Sequence, residues 1–391
     1  MPGTRLSIVV SGMIASIPRQ GGATWAVLQY VLGLRRLGHA VCFVEPVCDP
    51  AMGPPGSTLR GSYNAAYFRE VVRQFGLEGT SGLLRPGTRE TVGLPYDRLV
   101  EIARDADLLL NVSGILTEAA LLEPIPSRVY LDLDPGFTQL WHAVQGIDMG
   151  FRGHTHFVTI GVAIGSNGCD VPDCGLAWIG TAQPVVLSEW PAVNTRPFHG
   201  LTTVGNWRGY GSIEYEGRLY GQKAHSLRQL MSLPGRTPEK FILALAIHPN
   251  EKRDLDALTA NGWHIVDPAL LAASPDAYRR FVQASKVEFG LAKSGYVAAR
   301  AGWFSDRSAC YLASGRPVIA QDTGFPDFLP VGEGLLAFET AQDVLAAIEE
   351  INRNYRFHAQ AARRIAEEHF DSDKVLSRLL DRIEEAPCQM P

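Results

Sequence analysis

Apolar residues along the chain fall into two alternating patterns. Short continuous runs such as Ile8-Val-Val, and the stretch at 41–45, are bounded by Gly, Pro, Asn or Ser, whereas longer stretches repeat apolar positions at helical spacing. The first pattern predicts strands buried on both faces, the second amphipathic helices. In the first half this gives a strand at 8–10, a helix at 23–37 closed by Gly38-His39, a strand at 41–45, helices at 63–75 and 96–104, and strands at 107–112 and 128–134. Residues 49–62, rich in Pro, Gly and Ser, read as a surface loop, and 157–165 as a further strand-like run. A strand–helix–strand opening calls for a parallel sheet. Pro184, Pro191 and Pro197 break up 184–200, which reads as a crossover between domains. Beyond it, strands are expected at 202–207, 241–248, 264–266, 287–292 and 317–320. Helices are expected at 224–231, 255–261, 278–284, 306–314, 344–351, 355–369 and 374–385. The predicted fold class is α/β: two Rossmann-like parallel-sheet domains, 1–190 and 201–370, facing an interdomain cleft and followed by a terminal segment, 371–391.

Composition changes this picture little. A chain of 391 residues is long enough for two cores, and a formal charge of −5 leaves no broad basic face for nucleic acid or an anionic membrane. Six cysteines with no C-x-x-C pair fit a reducing compartment. Cys169 and Cys174 flank a short loop, but thiols that are buried or incidental are the better expectation for both. The run that starts at Leu6 is short, broken by Ser and Gly, and followed by no Ala-x-Ala site, so it reads as the first strand rather than a signal peptide. No stretch is long and apolar enough to span a bilayer. A cytoplasmic protein is expected.

The segment 302–324 carries the most chemistry. Ser305 or Asp306 can cap a helix whose first turn offers unpaired N–H groups, Gly302 lets backbone approach an anion, and Arg307 adds a fixed positive charge beside Ser308. Gly315-Arg-Pro-Val then leads into a buried strand whose end delivers Gln321, Asp322, Thr323 and Gly324 to the sheet mouth, where ligands of open α/β folds bind. Asp322-Thr-Gly also suits an Asx-type turn. Lys293, among apolar neighbours, is a phosphate candidate with Arg300 behind it. Glu288, in an apolar strand, either senses the ligand or pairs with Lys293. Gly21 and Gly22 end a loop at 12–22 that reads as flexible and open to close approach by phosphate, or simply as a tight connection. No G-x-G-x-x-G, Walker loop, H-E-x-x-H or nucleophile elbow is present.

In order and spacing, 302–324 resembles the donor-binding region of GT-B glycosyltransferases, in which a Gly-Trp-Asn-Ser or Glu-rich loop precedes the helix and a Gly-x-Pro-Val strand follows it. Weaker likeness extends to Gly21-Gly-Ala-Thr-Trp, to the stretch at 34–45 and to the closing helix. The resemblance implies a nucleotide-sugar donor, a small-molecule or lipid-linked acceptor, no metal, no separate cofactor, and a last helix that crosses back to the first domain. It also makes Lys223, with Arg208 or Arg218, the cationic partners of the donor phosphates. One departure stands out: Gly302 and Cys310 occupy the places where retaining members carry two Glu, so the base and the anomeric outcome stay open. Asp134 and His156, with Asp132 and His142 behind them, are the candidates for a general base on the acceptor, a role that retaining enzymes do not require. A nucleotide-sugar epimerase or a phosphorylase would share the fold, and a two-domain solute-binding protein is the non-catalytic alternative.

Overall fold

The structure is a computed structural model that describes residues 5–53, 57–194 and 200–389. Pro197, one of the helix-breaking prolines, lies outside the described residues. Eight strands build the first sheet: β1 (Ser7–Ser11), β2 (Ala40–Pro46), β3 (Ser81–Leu84), β4 (Thr91–Gly93), β5 (Leu108–Val112), β6 (Ser127–Asp132), β7 (His156–Thr159) and β8 (Trp178–Gly180), in the order β4-β3-β2-β1-β5-β6-β7-β8. All neighbours are parallel except β3 and β4. The second half contributes β9 (Leu201–Asn206), a small hairpin of β10 (Ile213–Tyr215) with β11 (Arg218–Tyr220), then β12 (Phe241–Ala246), β13 (His264–Val266), β14 (Val287–Gly290), β15 (Val318–Gln321) and β16 (Leu335–Phe338). Its all-parallel sheet runs β13-β12-β9-β14-β15-β16. These are two Rossmann-like α/β layers, as the alternation of apolar runs and amphipathic stretches required.

Every residue of β5, β14 and β15 is buried, because helices cover both faces of a parallel sheet. Each sheet changes winding direction once, between β1 and β5 in the first and between β9 and β14 in the second. Those two points place the mouths of the sheets.

Several elements escaped the sequence pattern. Strands β3, β4, β8, β10, β11 and β16 have three or four residues, too few for a periodic signal. Helices at Phe137–Ala143 and Ser294–Ala299 are equally short. The run at 157–165 leaves the sheet after Thr159, since Gly161 instead makes a bridge to Trp303 and lies so close to Pro135 that a side chain there would collide with it.

Several contacts tie the halves together. Val185 and Asp371 form a parallel bridge where the two crossing segments meet, with hydrogen bonds from Val185 N to Phe370 O and from Ser372 N to Val185 O. The last helix, Ser372–Glu385, lies against the first, Gly21–Arg36, with Arg36 bonded to Asp373 at 3.2 Å. Gly33 permits that crossing, because a Cβ there would press on Leu376 and Ser372. Between the sheets, Trp25, Trp190 and Tyr278 stack edge to face inside one apolar cluster that draws on both halves.

Candidate active site at the interdomain cleft

β9 and β14 pair only through Leu201 with Val287 and Thr202 with Glu288, then diverge, since β9 continues along β12 to Asn206. Arg307, in the first turn of the helix Asp306–Ala313, fills the fork: Nε lies 2.5 Å from Glu288 Oε1 and Nη1 donates to Val204 O at 3.1 Å. Glu288 is fully buried, and its Oε2 has no partner among the described residues. Burial works most strongly against the Arg307 charge, but Glu288, Tyr278 and Asp306 together offset it and hold the guanidinium above its ordinary value. Lys223 opens the helix Lys223–Arg228 beside this pair and donates Nζ to Leu291 O. Burial, reinforced by Arg307 and Lys293, drives its affinity for a proton well below the ordinary value for lysine. Burial likewise raises Asp306, against the pull of Arg307.

The loop before this helix and the end of β15 touch directly. Gly302 N donates to Thr323 O at 3.0 Å, and Thr323 Oγ1 donates to Trp303 O. Gly302 has φ +70° and Gly324 φ +90°, and a Cβ on either would strike its neighbours. Asp322 closes the Asx turn by accepting from Gly324 N at 2.6 Å, and it faces Arg300 at 3.7 Å. Gln321 is buried and accepts from Ala292 N at 3.3 Å. Ser305 stands at the N-cap position without its hydroxyl capping the helix, and Ser308 is buried in the first turn. The structure therefore brings 302–308 and 321–324 together as one surface.

Across the cleft, Asp134, just beyond the end of β6, reaches Lys293, Tyr210 and Tyr296 of the second half. It accepts from Lys293 Nζ at 3.0 Å, from Tyr210 OH at 2.7 Å and from Tyr296 OH. The Lys293 ammonium also sits over three rings, 3.9 Å from the centre of Tyr210, 5.0 Å from Tyr296 and 5.2 Å from Phe137. Burial lowers the Lys293 proton affinity, and Asp134 opposes that. Lys293 thus pairs with Asp134, and Glu288 with Arg307, rather than with each other.

Seven candidates sit differently from expectation. His156 is the first residue of β7, at the end of the strand remote from the sheet mouth, buried and within hydrogen-bond reach of Thr155 and the Ala386 carbonyl, so it does not enter the cleft. Gly21 donates its N–H to Ala272 O at 2.8 Å, and Gly22 lies against the Tyr278 ring, so both serve close packing of the halves rather than an open phosphate loop. The loop they end is clamped, with Glu45 accepting from Ala15 N, Ser16 N and Ser16 Oγ and Asn64 donating to Ala15 O. Arg208 lies at the rim, paired with Glu251 at 2.5 Å, and Arg218 pairs with Asp170 at 2.8 Å. Asp132 is buried under bonds from Thr138, Gln139, Thr159 and Asp134 N, a structural anchor. His142 packs on Phe151, 4.6 Å between ring centres.

Sequence reasoning missed Tyr210 and Tyr296. The spacing of Lys293 and Tyr296, one helical turn apart, was the only signal for the second, while Tyr210 sits in an irregular loop with none. The described cysteines are all free. Among the described residues no group of three or more His, Cys, Asp or Glu side chains is placed to hold a metal ion, and no helix is long and apolar enough to cross a membrane.

No protein-family model matches the chain, and no curated protein matches its sequence. Solved structures do. An α-glucosyltransferase seen with UDP-glucose and DNA containing an abasic site superposes with TM-score 0.61 at 13% identity, over 96% of this chain and 99% of that one. Anabaena Alr3699/HepE, in complex with UDP and glucose, gives 0.57 at 11%, over 97% and 100%. Sucrose-phosphate synthase from Thermosynechococcus elongatus gives 0.54 at 11%, over 97% and 98%. At such identities the likeness establishes the architecture: this chain has the GT-B fold.

Proposed function

We propose that the chain is a glycosyltransferase that moves a sugar from a nucleoside-diphosphate donor to a small-molecule or lipid-linked acceptor, without a metal ion. The observation that carries this reading is the cationic fork of Arg307 and Lys223 at the point where the second sheet changes winding direction, with a helix N-terminus beside it. A departing diphosphate needs positive charge that acts most strongly as the glycosidic bond breaks. A dianion favours the charged form of a lysine held below its ordinary proton affinity, so Lys223 responds to the ligand, whereas Arg307 stays charged throughout. Lys293 would leave Asp134 for the phosphates. The surface formed by 302–308 and 321–324 would carry phosphate on one side and sugar on the other.

In this reading the structure represents a closed cleft, with Gly21 on Ala272, Trp25 Nε1 on Pro275 O and Asp134 on Lys293. Donor entry opens it about the paired crossovers at Val185 and Asp371, and Asp134 acts as the latch rather than as a base. With His156 outside the cleft, transfer with retention, which needs no strong enzymic base, fits better than inversion.

UDP is the first nucleotide to test, because the α-glucosyltransferase and the Anabaena protein are both seen with it. Thermal stabilisation by a panel of nucleoside diphosphates and their sugars checks the reading, since a ligand of the folded state raises apparent stability with concentration. Stabilisation by one diphosphate and its sugars, lost in Lys223→Met, supports it. No response to any member of the panel contradicts it. Product analysis with donor and no acceptor then separates a transferase from an epimerase.

A further inference from the structure

Gly302 and Phe304 also line a cavity of about 250 Å³, of which neither Arg307 nor Lys223 is part. Ile160 and Val162 follow β7, Gly180 ends β8 and 181–183 follow it, and Gly302, Phe304, Phe328 and Leu329 come from the second half. The remaining wall is the C-terminal segment, from His369 and Phe370 through Val375, Arg378, Leu379 and Arg382. The spacing of Val375, Arg378, Leu379 and Arg382 puts them on one face of the last helix, so a single stripe offers both apolar surface and charge.

The lining is sorted by chemistry. Phe304, Phe370, Val375 and Leu379 are buried and form the floor, whereas Arg378 and Arg382 are exposed and stand at the mouth. Arg382 donates to Gly180 O and Arg378 Nε to Lys374 O, and neither makes an ion pair among the described residues. His369, also on the lining, lies 3.9 Å from Glu368. No Asp or Glu is among the lining residues, although acidic residues outnumber Lys and Arg by 41 to 36 in the chain. An aromatic floor beneath two uncompensated guanidinium groups is complementary to a molecule with an apolar body and an anionic end. The volume equals roughly eight water molecules at ~30 Å³ each, which suits a small organic acid rather than a long chain.

We propose that this cavity binds a small amphipathic anion, an aromatic or short aliphatic body carrying a carboxylate or phosphate. Its role as the acceptor pocket rests on the transferase reading and requires a hydroxyl on the ligand, whose oxygen bonds the sugar's anomeric carbon and loses its proton as the bond to the departing diphosphate breaks. The apolar body lies on Phe304 and Phe370, and the anion meets Arg378 and Arg382.

Calorimetry on the full chain tests this with 3-phenylpropanoate and phenyl phosphate as probes, 3-phenylpropan-1-ol as the neutral counterpart, inorganic phosphate as the bare anion, and phosphatidylglycerol vesicles as the lipid source. The expected result is binding of a probe at least tenfold tighter than either the alcohol or inorganic phosphate, reduced tenfold or more in Arg378→Gln/Arg382→Gln, as loss of a charge-assisted contact implies. Because both arginines are exposed, that variant is expected to keep the wild-type melting temperature, and Phe304→Ala provides an independent check on the apolar side. Equal binding of the alcohol, unchanged probe affinity in the double variant, or arginine-dependent binding to vesicles in place of the small anions each overturns the proposal. UDP titration in the same preparations keeps the two readings apart: probe binding without UDP binding leaves the cavity assignment standing and removes its acceptor role.

Discussion

Each sheet buries carboxylates near its mouth, and the two halves satisfy them by opposite means. In the first half, Glu45 and Asp132 are held by neutral donors alone, the N–H groups and hydroxyl of the 15–16 loop for one and Thr138, Gln139, Thr159 and a backbone N–H for the other. In the second half, Glu288 is held by Arg307. Neutral donors fix loop shape but leave the charge of an ionised carboxylate uncompensated, whereas Arg307 cancels that of Glu288, so protonation of Lys223 beside the pair gives the fork its net positive charge. The same topology thus produces a shaped wall on one side of the cleft and an anion-seeking wall on the other.

Removing Arg307 attacks that contrast most severely. Arg307→Ala leaves Glu288 buried without its partner and is expected to destabilise the protein by about 3–5 kcal/mol, read as a lower denaturation midpoint. Replacing both partners with Met should recover most of this loss while abolishing nucleotide binding, since apolar packing substitutes for a buried pair in stability but not in charge. A double variant that binds UDP normally would show that the pair serves folding alone.

Lys223→Met comes next. Its effect on UDP affinity should be roughly tenfold or more, with the fold kept, because the side chain is buried and Met fills similar space. Its pH signature is distinctive. The folded protein holds the Lys223 proton well below the ordinary value of 10.5, so between the two values the unfolded chain binds more protons. Stability from this group therefore rises with pH across that window and is complete above 10.5. Denaturation midpoints of wild type and Lys223→Met should converge as pH climbs from neutral, and parallel curves would refute the buried, proton-poor lysine.

Glu45 makes the corresponding test in the first half, with the opposite slope. Burial raises its carboxyl from 4.5 to about 7, against the bonds from Ala15 and Ser16. Its contribution is fully present below 4.5 and lost as pH rises through about 7, so wild type should lose stability relative to Glu45→Gln across that range. The change is on the order of 3 kcal/mol. A difference that does not vary with pH would mean that the neutral donors hold the anion without cost.

The smallest effect is expected at the latch. Asp134→Asn weakens a half-exposed pair with Lys293, worth about 0.5–1 kcal/mol, and should shift the cleft toward open forms. Small-angle scattering reads that shift as a larger radius of gyration, removed by saturating UDP. An unchanged radius would show that Asp134 does not hold the halves together.

How much of this was legible beforehand depended on the range over which each signal acts. The runs at 41–45 and 107–112, and the helix–Gly315-Arg-Pro-Val–strand unit, announced themselves because burial on both strand faces and the stop after a helix are written locally. Residues 302–308 and 321–324 were recognised as neighbours for the same reason. Pairings were not legible. Nothing near Lys293 indicates Asp134, which lies 159 positions away, and Glu288, read as sensing the ligand or pairing with Lys293, is matched to Arg307 only by the fork between β9 and β14. His156 misled although it precedes its apolar run, since the mouth of a parallel sheet lies at the C-terminal ends of the strands and the order of residue and run already put it at the other end. Gly21 and Gly22 misled because close approach of a phosphate and close approach of the Ala272 carbonyl ask the same thing of a backbone.

A structure of the protein with a bound nucleoside diphosphate tests the contrast between the two walls most directly. The account predicts phosphate oxygens within hydrogen-bond distance of Lys223 Nζ and the first turn of Asp306–Ala313, with Lys293 turned away from Asp134. Phosphates seated in the first half by the 12–22 loop, or in the cavity beneath Arg378 and Arg382, would contradict it.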